Sequence, residues 1–398
     1  MKQTSHYRTL GTRSTTYWLT LLGMLCLVAA GYLAAHRMDV EGHWITGMNN
    51  QVVWGLPHVF AVLLILAASG ALNVASMSSL FERKEYSPWA RLSGLLAICL
   101  LVGGLIVLVL DLGRPDRLIV AMTYYNFKSI FAWNIFLYTG FILVVMVYLW
   151  TLFERSLAGH VRRAGLLAFV WRFVLTSGTG GIFGFLVARQ FYDASMIIPV
   201  FIVLSLILGT AAFIIISMVL GQWYEDSPDT ALLRKLARLM GIFIATELFL
   251  VAAFHLTNLY ATEHHGVEHF MLVGGGIYTV LFWLGQVIMG GLLPLAMVFL
   301  CGQDRFPKTA LAAAVLALFG GFCQLYVTII GGQAYPLVMF PGKRVASSFH
   351  DGEVALYNPS MPEWLLGVGG MALAVVMVLL LVRVLPFLPD YRRSRTAA

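Results

Sequence analysis

The chain has 398 residues, of which 60% are hydrophobic and 11% are charged, and its formal net charge is +7. Soluble domains carry roughly 25% charged residues, so this composition excludes a soluble protein. The apolar runs are continuous and about twenty residues long or longer, which predicts membrane-spanning helices and excludes the alternating strands of a membrane barrel.

Ten apolar segments follow one another along the chain, and we predict that each is a transmembrane helix. The first segment follows Lys2, Arg8 and Arg13 and ends near AGYLAA. This is also the pattern of a cleaved signal peptide, although the segment is long for one. The predicted helices are about 17–36, 52–81, 89–111, 130–153, 166–188, 197–221, 237–260, 270–300, 309–331 and 364–388.

Basic residues are distributed unevenly between the two sides that ten crossings define. Of the 26 Lys and Arg residues, 19 fall on the side that holds both termini and 7 fall on the other side. Cytoplasmic segments of membrane proteins are enriched in Lys and Arg. The bias predicts cytoplasmic termini, and its agreement with strict alternation supports ten spans.

A charged motif, DLGRPDR (Asp111–Arg117), follows directly on the third apolar segment. Gly just past a helix with Pro soon after is an ordinary stop signal, and charges at the end of a membrane helix are ordinary too. However, aromatic and polar residues share the same predicted outer level at the starts of the second and fourth segments. They are Trp54, Pro57, His58, Tyr124, Tyr125, Asn126, Lys128, Trp133 and Asn134.

This outer cluster has the chemistry that a quinone requires. A flat head group needs aromatic walls, its two oxygens need hydrogen bonds, and its tail needs an opening to lipid. Its redox reaction also needs a proton carrier within reach. An aromatic belt with charged helix ends would have the same composition, so the residues alone leave both interpretations open.

A second polar set lies inside the seventh segment, where ionisable residues are rare and usually mark functional sites. Glu247 is the one acid well inside a segment, and His255 and Asn258 lie two and three turns further out. These residues span roughly 16 Å of one broad helix side. The eighth segment adds Gln286 near its centre. We predict a proton path through Glu247 and His255; a polar clamp between helices is the alternative.

The cysteines and the longest loop also bear on function. Cys26, Cys99, Cys301 and Cys323 form no C-x-x-C motif, so the sequence predicts no zinc or iron–sulfur site. Any redox chemistry must therefore use electron carriers supplied by other molecules. The loop at about 332–363 is rich in Pro, Gly and Ser, and we predict that it is a docking surface or a cover on the outer side.

Three stretches resemble the NrfD/PsrC family, the quinone-interacting membrane subunits of redox complexes. The DLGRP block, followed by Asn-Phe-x-Ser and Ala-Trp, is the most specific motif. The opening GHWITGMNN and the ten spans resemble the longer branch of the family, and the whole sequence is most similar to DsrP, the NrfD-like subunit of the DsrMKJOP complex of sulfur metabolism. The stretches are GHWITGMNNQVVWGLPHVFAVLLILAASGALN (42–73), DLGRPDRLIVAMTYYNFKSIFAWNIFLYTG (111–140) and TSGTGGIFGFLVARQFYDASMIIPVFIVLSLILGTAA (176–212).

The resemblance implies one membrane domain, residues 1–398, built from two four-helix bundles with a flanking helix at each end. Helices 2–5 (about 52–188) form the first bundle and helices 6–9 (about 197–331) form the second. A menaquinone or ubiquinone pocket is implied in the first bundle near the outer face. The motif assigns six residues of this protein to that pocket: His58, Asp111, Arg114, Tyr124, Tyr125 and Trp133. Tyr192 stands where the family leads us to expect Trp.

The resemblance also implies partners and a location. An iron–sulfur ferredoxin-like subunit would dock on the extracytoplasmic face, together with a multihaem cytochrome c and further redox subunits, and Arg114 and Arg117 would pair with Asp111 or with carboxylates of a partner. The implied protein passes electrons between the quinone pool and that iron–sulfur subunit in a bacterial inner membrane, either without activity alone or as the quinone/quinol oxidoreductase subunit of a complex. The path through Glu247 and His255 would couple this transfer to proton translocation. Nucleic acid is not an expected partner.

The sequence alone leaves two other classes of membrane protein open. A haem b cytochrome needs paired axial histidines inside the membrane, and only His58 and His255 are embedded candidates. A transporter is the other alternative, because GTGG (178–181), MGG (289–291) and Pro294 would also suit broken helices. Close packing between helices explains these glycines equally well.

Overall fold

The computed structural model describes residues 6–224, 229–300, 306–337, 343 and 352–390. Within these ranges ten helices are long and apolar enough to cross a membrane, which confirms the predicted all-α, ten-span architecture. They are α1 (Thr15–Glu41), α2 (Leu56–Ser79), α3 (Lys84–Leu110), α4 (Ile130–Phe153), α5 (Arg155–Gly184), α6 (Ile197–Gly221), α7 (Thr230–Tyr260), α8 (Ile277–Leu300), α9 (Phe306–Ala334) and α10 (Met361–Val384).

The two terminal segments meet at one end of the helix assembly. Strand β1 (Tyr7–Arg8) pairs antiparallel with β2 (Leu388–Pro389). An even number of crossings returns the polypeptide to its starting side, so this pairing agrees with ten spans. We call this end the terminal face and the opposite end the distal face.

The helices pack in two closed rings. α2 contacts α3 and α5, while α4 lies between α3 and α5; likewise α6 contacts α7 and α9, while α8 lies between α7 and α9. We refer to α2–α5 as the first ring and to α6–α9 as the second ring. α1 and α10 pack together, and α10 also lies against α2 and α3.

α2 is the central helix, and its apolar window is completely buried. It is apolar all round, as a helix enclosed by other helices should be. Its close contact with α6 joins the two rings and depends on Gly70, because a Cβ built there would lie 1.7 Å from the backbone oxygen of Ser205. Small residues allow such close approach between membrane helices.

In the described residues, three π-helical stretches lie in the second ring or in the connection before α8, at Phe270–Gly274, Leu281–Leu292 and Val327–Gly331. The predicted eighth segment began at 270, but the helix breaks after the first stretch, where Gly276 has a φ of 58°, and α8 begins at Ile277. π-Helical turns are rare in proteins, and those that occur are often found at functional sites.

The distal loops carry short helices and are hydrogen-bonded to one another. Helix α10 begins with a capping box, in which the Glu363 carboxylate also accepts from Gly47 N at 2.8 Å. Of the predicted loop at about 332–363, α9 continues to Ala334 and α10 begins at Met361, while 338–342 and 344–351 lie outside the described residues. The short elements are His43–Ile45, Pro115–Arg117, Leu118–Thr123, Thr262–His264 and His265–His269.

Candidate functional site

The structure brings His58 and Asp111 into contact at the distal face. α2 starts at Leu56, with Pro57 in its first turn, so His58 lies at the distal end of α2. Asp111 is the residue at which α3 ends. The His58 Nδ1 and Asp111 Oδ2 atoms are 2.8 Å apart; the Asp111 side chain is 1% exposed and the His58 side chain is 23% exposed. The imidazole therefore lies between a buried carboxyl group and the surface.

This acid–histidine pair retains hydrogen-bonding capacity. The contact is close enough for an ion pair but is not aligned as a hydrogen bond, so among the described residues His58 Nδ1 and both carboxyl oxygens of Asp111 have no hydrogen-bond partner. The His43 Nε2 atom lies 3.0 Å from the Asp111 backbone oxygen. Buried polar atoms without partners cost about 1–3 kcal/mol each, so a ligand or water that completes these bonds would be favoured.

Trp54 forms an aromatic wall beside this pair. Its ring stacks on His58 with centroids 6.3 Å apart and on Tyr192 with centroids 6.5 Å apart. Phe131 at the start of α4 and Phe183 near the end of α5 pack against the same indole at 5.9 and 5.6 Å. Tyr192, which stands where the family resemblance leads us to expect Trp, is thus part of the wall.

The remaining residues assigned by motif lie elsewhere on the distal rim. Arg114 makes two hydrogen bonds of 3.1 Å with Asp116, not with Asp111, and this contact lowers the pKa of the Asp116 carboxyl. Tyr124 is 82% exposed, and Trp133 is 48% exposed with its indole N–H bonded to the Phe127 carbonyl.

The Tyr125 ring packs on Phe127 and Phe136, so it belongs to the same outward-facing group as Trp133. In the described residues, no ring contact or hydrogen bond joins Tyr124, Tyr125 or Trp133 to His58 or Trp54.

The polar residues of α7 predicted to form a proton path, Glu247, His255 and Asn258, are buried in the second ring, and we call them the polar stripe. The Glu247 carboxyl accepts a 2.6 Å hydrogen bond from the Gln324 amide of α9, and its other oxygen is buried without a described partner. Two small cavities adjoin this pair. One, of about 20 Å³, contacts Glu247, and the other, of about 30 Å³, contacts His255; Gln286 and Gln324 line both. A water needs roughly 10–15 Å³, so each cavity is large enough for one.

Glu268, which the sequence did not indicate, is the centre of the outer part of this stripe. Its carboxyl group has no exposure, lies 2.6 Å from His255 Nδ1, and accepts from the Asn258 amide at 2.8 Å. The Asn258 oxygen lies 3.2 Å from Nδ1 of the half-buried His264. Glu268 stands in HGVEH, a short charged stretch between helices, and no sequence signal distinguishes it from its exposed neighbours.

Arg172 of α5 is held inside the first ring. Its side chain is buried, donates a 2.6 Å hydrogen bond to Asn73 Oδ1 in α2, and lies over the rings of Phe169 and Phe173. The contact ties two helices of the first ring together.

His58 and His255 lie in different rings, and each faces its own carboxyl group, Asp111 and Glu268. In the described part of the protein, no group of three or more His, Cys, Asp or Glu side chains is arranged to hold a metal ion.

The fold and this site define a class: a ten-span membrane protein with a buried acid–histidine pair behind an aromatic wall at one face, and a buried carboxyl-lined stripe in its second ring. A family model described as "Polysulphide reductase, NrfD" matches residues 44–336. The protein therefore belongs to the NrfD family, as its motifs predict.

Several curated proteins resemble this one over most of its length. The Hdr-like menaquinol oxidoreductase integral membrane subunit of Archaeoglobus fulgidus is 26% identical, over 95% of both sequences. Protein NrfD of Escherichia coli is 25% identical, over 71% of this sequence and 95% of its own. The menaquinone reductase integral membrane subunit of Nitratidesulfovibrio vulgaris is 23% identical, over 90% of this sequence and 89% of its own.

Proposed function

We propose that this protein is the quinone-reactive membrane subunit of a redox complex, and that the His58–Asp111 pair with the Trp54 wall is its quinone site. The observation that carries the proposal is the set of unpartnered polar atoms on His58 and Asp111 beside stacked aromatic rings. A quinone head group requires this combination of a flat apolar surface and a few convergent hydrogen-bonding groups. Two relatives named for menaquinol or menaquinone favour menaquinone as the substrate.

The pair supplies the proton chemistry of the reaction. Oxidation of a quinol releases two electrons and two protons, so a base must lie within hydrogen-bonding distance of the quinol hydroxyl. His58 is the more exposed member and accepts one proton, the buried Asp111 carboxyl holds the imidazole in place, and the second proton leaves to water at the distal face. In the reducing direction the same pair delivers the proton.

The electrons leave to a partner subunit, because two relatives are named as integral membrane subunits of a menaquinol oxidoreductase and a menaquinone reductase. We propose an iron–sulfur ferredoxin-like subunit docked on the distal face, next to the quinone site, with a multihaem cytochrome c as a later electron carrier. The excess of Lys and Arg on the terminal side favours an extracytoplasmic distal face, and we propose a bacterial inner membrane as the location. The likeness to DsrP favours a complex of sulfur metabolism.

We further propose that protons cross the second ring through Glu247 and His255. Gln324 holds the Glu247 carboxyl, and water in the two cavities bridges Glu247 to His255. His255 exchanges the proton with Glu268, which releases it towards His264 and the distal face, while Asn258 holds the Glu268 carboxyl and contacts His264. The Gln324–Glu247 and His255–Glu268 contacts lie within hydrogen-bonding distance, whereas the two turns between Glu247 and His255 require water in both cavities.

The quinone site is tested in the whole purified complex with Asp111→Asn and His58→Ala. Loss of a positioned acid or base typically reduces a rate by about 10²–10⁴. We expect quinone-linked electron transfer to fall by about that factor, while the amount of assembled complex is unchanged. Asp116→Asn removes a carboxyl group from the same loop and is the matched control, since Asp116 is exposed and pairs with Arg114. Normal turnover in both site variants would exclude the proposed site.

A further inference from the structure

Gln333, near the end of α9, is joined to the quinone-site wall by an unusually complete set of hydrogen bonds. The side chain is buried at 2% exposure. Its amide oxygen accepts from Val53 N and Trp54 N, each at 3.0 Å, and its amide nitrogen donates to Trp54 O at 2.9 Å and Ile329 O at 2.7 Å. A Gln side chain has two donors and two acceptor sites, so every one is used.

The second member of the wall is fixed at the same point of α9. The Tyr192 hydroxyl donates to Ile329 O at 2.5 Å, and its ring stacks on Trp54. Burial raises the pKa of Tyr192, so the hydroxyl keeps its proton and remains a donor. Arg189 in the same loop donates to Gln333 O at 2.6 Å and further secures the end of α9.

The shared acceptor, Ile329 O, lies in the π-helical stretch Val327–Gly331. In a π-helical turn the backbone pairing is rearranged, and such turns are frequent at functional sites. Here the Ile329 carbonyl receives two side-chain hydrogen bonds, one from each residue that holds the Trp54 wall. The position of this short stretch and the position of the wall are therefore linked.

The part of α9 just before this π-helical stretch contacts the buried acid Glu247. Gln324 lies one turn before Val327 and donates to the Glu247 carboxyl at 2.6 Å. One continuous segment of α9, Gln324–Gln333, thus contacts the proposed quinone wall at one end and the proposed proton-carrying acid at the other.

We propose that Gln333 and Tyr192 are positioning residues, and that the Gln324–Gln333 segment couples occupancy of the quinone site to the environment of Glu247. The inference rests on the proposed function and adds to it the connection between the two rings. A quinone that displaces Trp54 shifts the Ile329 carbonyl through Gln333 and Tyr192, and Gln324 transmits the shift to the carboxyl group. Such a link is reciprocal, because a group that alters quinone binding is altered by it.

Infrared difference spectroscopy of the whole purified complex tests this coupling. Spectra are recorded with and without dimethylnaphthoquinone, a naphthoquinone that lacks the isoprenoid tail, and the Glu247 carboxyl band is assigned by its loss in Glu247→Gln. We expect quinone binding to shift this band in the wild-type protein. In Tyr192→Phe, which keeps the ring and removes only the hydroxyl, and in Gln333→Met, we expect more than half of the shift to be lost while the quinone bands remain.

Tyr148→Phe is the matched control, because it also removes a buried hydroxyl that donates to a backbone carbonyl, that of Ala75, but lies in α4, outside the Gln324–Gln333 segment. A full Glu247 shift in both positioning variants would overturn the coupling, as would a wild-type protein that binds the quinone without any Glu247 shift. Absence of quinone bands from the wild-type spectrum would instead overturn the proposed function. The KM for the corresponding quinol should rise in Gln333→Met and stay unchanged in the control, since Gln333 acts through Trp54.

Discussion

Glu268 provides the most exacting prediction, because its role follows from contacts that the sequence did not indicate. In Glu268→Gln the side chain keeps its shape, but an amide has one acceptor oxygen where the carboxylate has two. The native group lies 2.6 Å from His255 Nδ1 and accepts from Asn258 Nδ2 at 2.8 Å. In the variant the new amide nitrogen faces either the Asn258 donor or His255 Nδ1, which accepts from it only in the tautomer with the proton on Nε2.

The expected cost follows from the loss of one such contact. A buried polar group left without its hydrogen-bond partner costs about 1–3 kcal/mol. Measured hydrogen bonds between membrane helices average only about 0.6 kcal/mol, but Glu268 is completely buried and its partners have little access to water. We therefore expect the free energy of unfolding to fall by about 2 kcal/mol, measured as the shift of the denaturation midpoint of the purified complex.

The functional effect is measured in the same variant reconstituted into vesicles. Quinol oxidation itself supplies one proton per electron at the distal face. If the stripe carries additional protons, the wild-type complex releases more than this, and Glu268→Gln returns the ratio to one. Glu263→Gln changes an exposed acid of the same connection and should alter neither quantity. An unchanged denaturation midpoint would refute the buried contacts, and an unchanged proton ratio would make the cluster a structural clamp between segments.

Two further predictions concern the scaffold. In thermal denaturation, Gly70→Ala should destabilise the protein by about 1–3 kcal/mol or prevent folding, because the added methyl group meets a backbone oxygen of α6 that cannot rotate away. Gly23→Ala is the control in the same assay; the position in α1 has open space around it, so the change should be neutral or slightly stabilising. Tyr357→Phe should cost about 1–3 kcal/mol in the same assay, because it removes the hydroxyl that accepts from Leu56 N at 2.6 Å and donates to the Glu363 carboxylate at 2.6 Å.

The membrane spans and the polar stripe of α7 are predictable from the sequence, because each depends only on residues that are close together along the chain. Continuous apolar runs and the alternation of basic residues determine the number of crossings. Glu247, His255 and Asn258 lie on one helix at spacings that place them on a common side, and the structure buries all three. His58 and Asp111 were expected to be neighbours because each stands at the distal end of its helix, and consecutive helices usually pack together.

The rest of the site could not be predicted, because it depends on which way each side chain faces. Trp133 shares the level of His58, but α4 has no distinct polar side, so periodicity does not identify its inner side. Tyr124 lies in the connection before α4, where no helical period applies. Gln333 lies 279 residues from Trp54 in the sequence, and nothing local indicates that contact. In the sequence, Glu268 cannot be distinguished from the exposed charged residues around it. In the structure, the short helix His265–His269 places its side chain inside the protein.

The most direct test of the central claim is to locate the bound quinone by photoaffinity labelling of the native complex with an azido-naphthoquinone, followed by peptide mapping. We expect covalent labelling of the distal end of α2 around Trp54 and His58, or of the turn that begins at Asp111. We also expect excess dimethylnaphthoquinone to prevent this labelling. Specific labelling confined to the second ring or to a partner subunit would contradict the assignment of the quinone site to His58 and Asp111.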